Sequence, residues 1–345
     1  MVTEVPNRSP LLPDRHPQQE LFVCDVADAV IKDDMASMEH PVFTLSTKRD
    51  LDIRRYEHGD RWLEVTPSVK GLATIYDKDI LIYAVSQLVA AKNAGRPTSR
   101  DISISARELL VFTNRYTGGR DYGLLEDALA RLGGTRLRTN INTGGTEQTR
   151  EFGLVEQSVV DRDADSGRIS RIQITLSQWL YNAIQAQEVL TLNRDYFRLR
   201  KPLERRIYEI ARKHCGIQDE WKISVPNLHK KTGSSSPMKQ FRYLLKDMVQ
   251  NDHLPDYSVR LEDGDLVIFS NRKVKQEIQA ATASIHLSPE TYHDARTCAP
   301  GWDVYHLEQK WREWMADGGM EPPNNPDKAF LGFCRKWFER KGSPS

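Results

Sequence analysis

The chain is poor in everything that marks a metal centre, a membrane span or a nucleotide loop. Its four cysteines, Cys24, Cys215, Cys298 and Cys334, lie far apart in 345 residues, with no pair at metal-ligand spacing and no pattern of a disulfide framework. No apolar run approaches the ~20 residues that span a bilayer, and the N-terminus lacks a signal-peptide core. There is no Gly-x4-Gly-Lys-Ser/Thr loop to cradle a triphosphate and no Gly-x-Ser-x-Gly turn. His214 and His229 are isolated, and no His-hydrophobic-His pair could hold a metal for transesterification onto a tyrosine. Single carboxylates abound, but nothing marks a catalytic pair. These absences point to a cytoplasmic protein in a reducing compartment, without cofactor, metal or enzymatic activity. Formal net charge is small as well, +1, so any strongly basic surface must be local and offset elsewhere.

Such a surface is there. From Arg194 to Lys246 the chain carries fourteen Lys and Arg against five Asp and Glu. Within it, residues 236–249 read as an amphipathic helix, with Ser236 as N-cap and Pro237 at the first helical position. Phe241, Leu244, Leu245, Met248 and Val249 share one face at helical period. Lys239, Gln240, Arg242, Tyr243 and Lys246 take the other, with Ser234, Ser235 and Ser236 at its upstream end. A longer helix over 201–214 and a short one over 226–232, stopped by Gly233, precede it. Asp263-Gly264 between two alternating runs signals a hairpin after it. Three helices and a hairpin make a winged helix, whose second helix-turn-helix member can enter a DNA groove. Lys230, Lys231 and Lys246 are the phosphate candidates, and Arg260 on the wing the candidate for backbone or minor groove.

The rest of the chain divides around this unit. Residues 1–40 are an acidic lead segment with Pro6, Pro10, Pro13 and Pro17, partly disordered, with a short helix expected over 25–32. The first folded domain runs over 41–188. Strands are expected at 42–45 and 62–66, a helix over 77–92 with Leu81, Ala84, Val85 and Leu88 inward, and a capping box at Ser105. A helix follows over 122–132, then strands over 135–142, 149–160 and 168–176, with turns at Gly144-Gly145 and 163–167, and a helix capped by Ser177. The order of elements over 77–176 matches that over 201–271, so a second winged helix is expected here. Its outer face carries Glu126 and Asp127, which repel phosphates. Its cations flank the helix instead: Arg115 and Arg120 before it, Arg136 and Arg138 after. These suit backbone contacts or pairing of two copies. The second winged domain spans 189–272, and Arg198, Arg200 and Lys201 lie at the joint. Residues 273–345 form a linker and a small all-α module. Four of the seven tryptophans fall there, with Val304, Leu307, Trp311 and Trp314 on one stripe. That pattern is a helical core or, with Lys328, Arg335, Lys336, Arg340 and Lys341, an aromatic platform for single strands. The expected class is therefore α+β, with two tandem winged-helix domains and a helical tail.

Several stretches resemble the bacterial plasmid replication initiator protein A family. They are Trp62-Leu63-Glu64-Val65-Thr66-Pro67 with Gly71-Leu72-Ala73-Thr74-Ile75-Tyr76-Asp77-Lys78-Asp79, then Arg194-Asp195-Tyr196-Phe197 with Leu203-Glu204-Arg205-Arg206-Ile207-Tyr208, then Leu228-His229-Lys230-Lys231-Thr232-Gly233-Ser234. The resemblance covers residues 42–272. It implies binding to repeats in double-stranded origin DNA, help in opening adjacent duplex, and recruitment of a host initiator and replicative helicase. It also implies a homodimer in equilibrium with monomer and repression of the protein's own promoter. A tandem winged-helix transcription regulator without origin function is the alternative.

Overall fold

The computed structural model describes residues 9–17, 30–140, 150–165, 167–274, 285–317 and 322–343. The fold is mixed α+β. Along the chain come β1 (Lys32–Asp34), α1 (Met35–Glu39), β2 (Arg54–His58), β3 (Arg61–Thr66), α2 (Lys78–Asn93), β4 (Asp101–Ser105), α3 (Ala106–Phe112) and α4 (Gly119–Gly134). There follow β5 (Arg136–Thr139), β6 (Arg150–Gly153), β7 (Val155–Arg162), β8 (Ile169–Leu176), α5 (Gln178–Gln185), β9 (Val189–Thr191) and a 3-10 turn, Arg194–Arg198. Next are α6 (Pro202–His214), β10 (Glu220–Ser224), α7 (Val225–Thr232), α8 (Met238–Asn251), β11 (Tyr257–Glu262) and β12 (Leu266–Asn271). Three helices close the chain: α9 (Pro289–Cys298), α10 (Val304–Asp317) and α11 (Pro326–Lys341). Contacts define two units, Met1–Gly216 with Lys222–Ile268, and Ile217–Trp221 with Phe269–Ser345.

Two runs repeat one order: α2, β4, α3, α4, β7, β8, and α6, β10, α7, α8, β11, β12. In both, the strand after the first helix pairs with the second strand of the hairpin, giving β4–β8–β7 and β10–β12–β11. The first run carries an insertion, β5 and β6, which joins the β2–β3 hairpin in a four-stranded sheet, β2–β3–β5–β6. The strand expected over 149–160 is therefore two strands in two sheets. Leu154 and Val155 are adjacent and both 1% exposed, which no unbroken half-buried strand allows. The strand expected at 42–45 reduces to a single bridge, Thr44 to Thr74. Local signals hold where they are chemical: Ser105 Oγ accepts from Glu108 N–H (3.4 Å) and Ser177 Oγ from Leu180 N–H (3.2 Å). The Gly144-Gly145 turn, Cys24 and most of the helix expected over 25–32 lie outside the described residues.

Helix α2 differs most from its expected one-faced burial. Every residue from Lys78 to Ser86 is buried, because β1, α3 and α5 pack around it. That leaves charged side chains in the interior, and they are matched. Lys78 Nζ lies 2.6 Å from Asp33 Oδ2 on β1 and 3.0 Å from Glu209 Oε1 on α6. Glu209 also accepts from the Tyr196 hydroxyl (2.8 Å) and from Arg206 (3.1 Å). Asp79 accepts from Arg115 and from buried Arg205, both at 2.7 Å. Burial, with Glu209 and Asp34 nearby, pushes the Asp33 carboxyl well above the usual range, while Lys78 pulls against it. Arg206 also donates to the carbonyls of Ser37, Met38 and Glu39 on α1 and of Lys231 on α7, at 2.9–3.2 Å. Two parts of the stretches that carried the family resemblance, 76–79 and 203–208, thus lock the two repeats together rather than face solvent.

The lead segment takes part as well, so ordered structure begins upstream of Pro41. β1 pairs with β9, and α1 is capped by Asp34, whose carboxylate accepts from Ser37 N–H (2.7 Å). Residues 9–17 lie as a strap over the joint. Leu11 bridges to Leu199, Leu12 N–H donates to Arg198 O (2.8 Å), and Asn114 Nδ2 donates to Pro13 O (3.1 Å).

The described helices of the second unit pack around Leu307, Trp311, Phe330 and Cys334, all buried. Ser288 caps α9 and Asn325 caps α11. The expected stripe is corrected at one place: Met315 completes it and Trp314 is 51% exposed. At 100° per residue position 315 falls back in line with 304 and 311, whereas 314 turns toward the flank. Trp314 instead lies against Phe333, centroids 5.8 Å apart.

Candidate nucleic-acid interface

Helices α7 and α8 present a solvent-facing polar surface. Ser224 caps α7, and Gly233 ends it at φ 68, the left-handed conformation that favours glycine. A Cβ at Gly233 would sit 2.5 Å from Pro41 Cβ and 3.0 Å from the Tyr56 hydroxyl. Arg54 Nη1 donates to Gly233 O (3.1 Å), so glycine's small size lets the turn pack against Pro41 and strand β2. His229 stands edge-on to Phe241 with centroids 4.8 Å apart, and its Nε2 bonds Ser236 O (2.8 Å). Helix α8 starts one residue later than expected. Pro237 is its N-cap, with ψ 146, so Ser236 contributes its carbonyl to His229 instead of a side-chain cap.

Phe241, Leu245 and Met248 anchor α8 on its inner side, while Lys239, Gln240, Tyr243 and Lys246 are exposed. Ser235 and Lys230 are exposed beside them, and Ser234 and Ser236 half-buried. Arg242 is not idle: its Nε donates to Asp265 Oδ1 (3.1 Å) and its Nη2 to Oδ2, a two-pronged pair with the turn between β11 and β12. Arg260 is exposed on β11, with its Nε 3.5 Å from Glu262 Oε1.

The other predicted site residues lie elsewhere or are engaged. Lys231 pairs with Glu39, which also meets His214 Nε2 at 2.8 Å. Arg198 donates to Leu12 O and Asp195 (2.8 and 2.9 Å), Arg200 to Leu11 O (3.3 Å), and Lys201 pairs with Asp247 and Glu204. Arg115 serves Asp79. Arg120 is exposed at the start of α4. Arg136 approaches Glu151 at 3.9 Å, and Arg138 lies over Trp62, 5.8 Å from its centroid. The helix of the first repeat carries its charge in pairs, Arg131 with Asp77 and Glu126 with Arg162. Reading cations by number alone therefore overstated the basic surface. It also missed Arg54, Arg55, Tyr56 and Glu57 of β2, which line an open groove with His229, Lys230 and Ser234. The signal was present in Arg54-Arg55-Tyr56 and Arg61-Trp62, cations beside aromatics on a hairpin. Among the described residues no metal-ligating cluster occurs, and no helix is long and apolar enough to cross a membrane.

The Glu39–Lys231 contact makes this face acid-sensitive. Burial alone would raise the Glu39 carboxyl, but His214 and Lys231 hold it far below its ordinary range. Burial, reinforced by Arg206, Lys231 and Arg61, lowers His40 to about 4, against the pull of Glu39. The unfolded chain then takes up the His40 proton first as pH falls, so stability present above about 6.5 is lost toward pH 4. Glu39 adds its own loss below the carboxylate range. Between pH 7 and 5 the unfolding midpoint should fall by an amount worth about 2 kcal/mol. His40→Gln should flatten that dependence; an equally steep fall in the variant would assign it to other groups.

A putative replication protein of Wigglesworthia glossinidia brevipalpis is 39% identical over 259 residues, covering 74% of this chain and 94% of that protein. The crystal structure of domains 2 and 3 of RctB, as a selenomethionine derivative, superposes with a TM-score of 0.50 at 12% identity, over 72% of this chain and 98% of that one. It supports the fold alone. The family model described as replication initiator protein A matches residues 32–259, two-thirds of the chain, taking in the first structural repeat and the second as far as β11, and the protein belongs to that family.

Proposed function

We propose that the protein is an origin-binding plasmid replication initiator that works by binding, without catalysis of its own. Its two repeats are read as tandem winged-helix domains, over 41–188 and 189–272. Helix α8 enters the major groove of a repeated origin sequence and the β11–β12 hairpin serves as its wing. The observation that carries this reading is α8 itself: Lys239, Gln240, Tyr243 and Lys246 exposed on one side, Phe241, Leu245 and Met248 buried on the other. An α-helix fits the major groove, and long polar side chains reach base edges from it. Lys230 neutralises phosphate, and the first repeat contributes backbone contacts or a monomer–dimer equilibrium through its hairpins. Duplex opening, engagement of a host initiator and helicase, and repression of its own gene belong to the same proposal, by analogy with the family.

The test is binding to the DNA that flanks its own gene, where tandem direct repeats of about two duplex turns are expected. Arg242→Ala should weaken binding to that DNA by roughly five- to a hundredfold and relax preference at one base position. Lys230→Ala should weaken binding to every sequence alike and flatten the log–log salt slope by about 0.9. An unchanged footprint and affinity in Arg242→Ala would remove Arg242 from the base-reading role. Wild-type protein that does not shift this DNA at low salt would refute the reading as a whole.

A further inference from the structure

The wing turn carries a carboxylate where DNA-facing surfaces usually avoid one, and its position is fixed. Asp265 has φ 62, and its carbonyl accepts from Val225 N–H at the start of α7 (2.8 Å). The backbone thus aims the carboxylate at α8, where it takes both prongs of Arg242. Asp263, two residues earlier on the same turn, is exposed.

Resting on the DNA-binding reading above, we propose that Asp265 sets the sequence specificity of Arg242 by fixing its guanidinium, so that only an acceptor pair in the right place meets the fork left free. A guanidinium engaged at Nε and Nη2 keeps an outer fork, Nη1 with the second N–H of Nη2. That fork cannot reorient without leaving Asp265, and it matches a directional pair such as O6 and N7 of guanine. A phosphate is a weaker inducement, because Asp265 beside it faces like charge. On random sequence Arg242 therefore contributes little. On the right base the held fork finds both acceptors. The carboxylate lowers affinity everywhere and lowers it least at the cognate site, which is how a repulsive element raises discrimination.

The experiment measures binding of the full-length protein to two duplexes, one selected from a random pool by the wild type and one of scrambled sequence. Asp265→Asn keeps a residue that tolerates positive φ. It should bind scrambled duplex five- to tenfold more tightly than wild type, with a salt slope steeper by about 0.9, and with a smaller selected-to-scrambled ratio. Asp263→Asn makes the same change in net charge and should leave that ratio unaltered. Adding Arg242→Ala to Asp265→Asn should abolish the gain on scrambled DNA. If Asp265→Asn and Asp263→Asn behave alike, or the ratio in Asp265→Asn is unchanged, the assignment is wrong while DNA binding stands. If the wild type retains no duplex from the pool, the DNA-binding reading fails and the assignment with it.

Discussion

Lys78→Met is expected to cost about 3–5 kcal/mol of folding stability, read as a drop in the urea or guanidinium midpoint. Lys78 and Asp33 have side chains exposed by 0% and 1%, and the ammonium is shared between Asp33 and Glu209. Met is unbranched and one atom shorter, so packing changes little. What remains is two carboxylates in the interior with Arg206 as the closest remaining cation. Removing one partner of a buried pair leaves the other desolvated without compensation, and that term dominates. Adding Asp33→Asn should recover part of the loss, since it removes one of the stranded charges. A Lys78→Met protein within about 1 kcal/mol of wild type would mean that the cluster is neutralised by proton uptake instead.

Arg206→Met should be similarly severe, about 3–5 kcal/mol, for a different reason. The last carbonyls of a helix have no partner within it. Arg206 supplies partners for two helix ends at once, Ser37, Met38 and Glu39 on α1 and Lys231 on α7, while also meeting Glu209. Its loss orphans buried acceptors and removes a cation from two negative helix termini. Lysine should rescue little, because a single ammonium cannot span that planar set of acceptors. Since one of the four carbonyls belongs to α7, the affinity for origin DNA proposed above should fall together with stability and recover in part on cooling. A stable Arg206→Met protein with normal affinity would separate α1 and α7 from the interior lock.

What the sequence revealed was whatever is decided within a dozen residues. The period of α8, the stop at Gly233, the Asp263-Gly264 turn and the caps at Ser105 and Ser177 each depend on near neighbours, and each is in place. What it concealed was decided at long range. Lys78 reads as an ordinary polar residue at the start of a helix, and only β1 and α6 make it interior. Leu154 marks a change of sheet because of strands β5 and β8 on either side. Arg205 and Arg206 raised the apparent basic charge of the interface, yet both point inward. Arg242 was legible as a polar-face residue, but its attachment to Asp265, 23 positions on, was not.

The interior lock also bears on how the chain is made. Asp33 and Lys78 leave the ribosome early, but Glu209 follows Lys78 by more than a hundred residues. At about 5–20 residues per second, that gap is roughly seven to twenty-six seconds of translation. During it the nascent first half has a lysine answered by one acid alone, and α1 lacks the arginine that closes its end. Messages truncated before α6 should therefore yield a product that proteases clear, and the replicon gains no half-built initiator from interrupted synthesis.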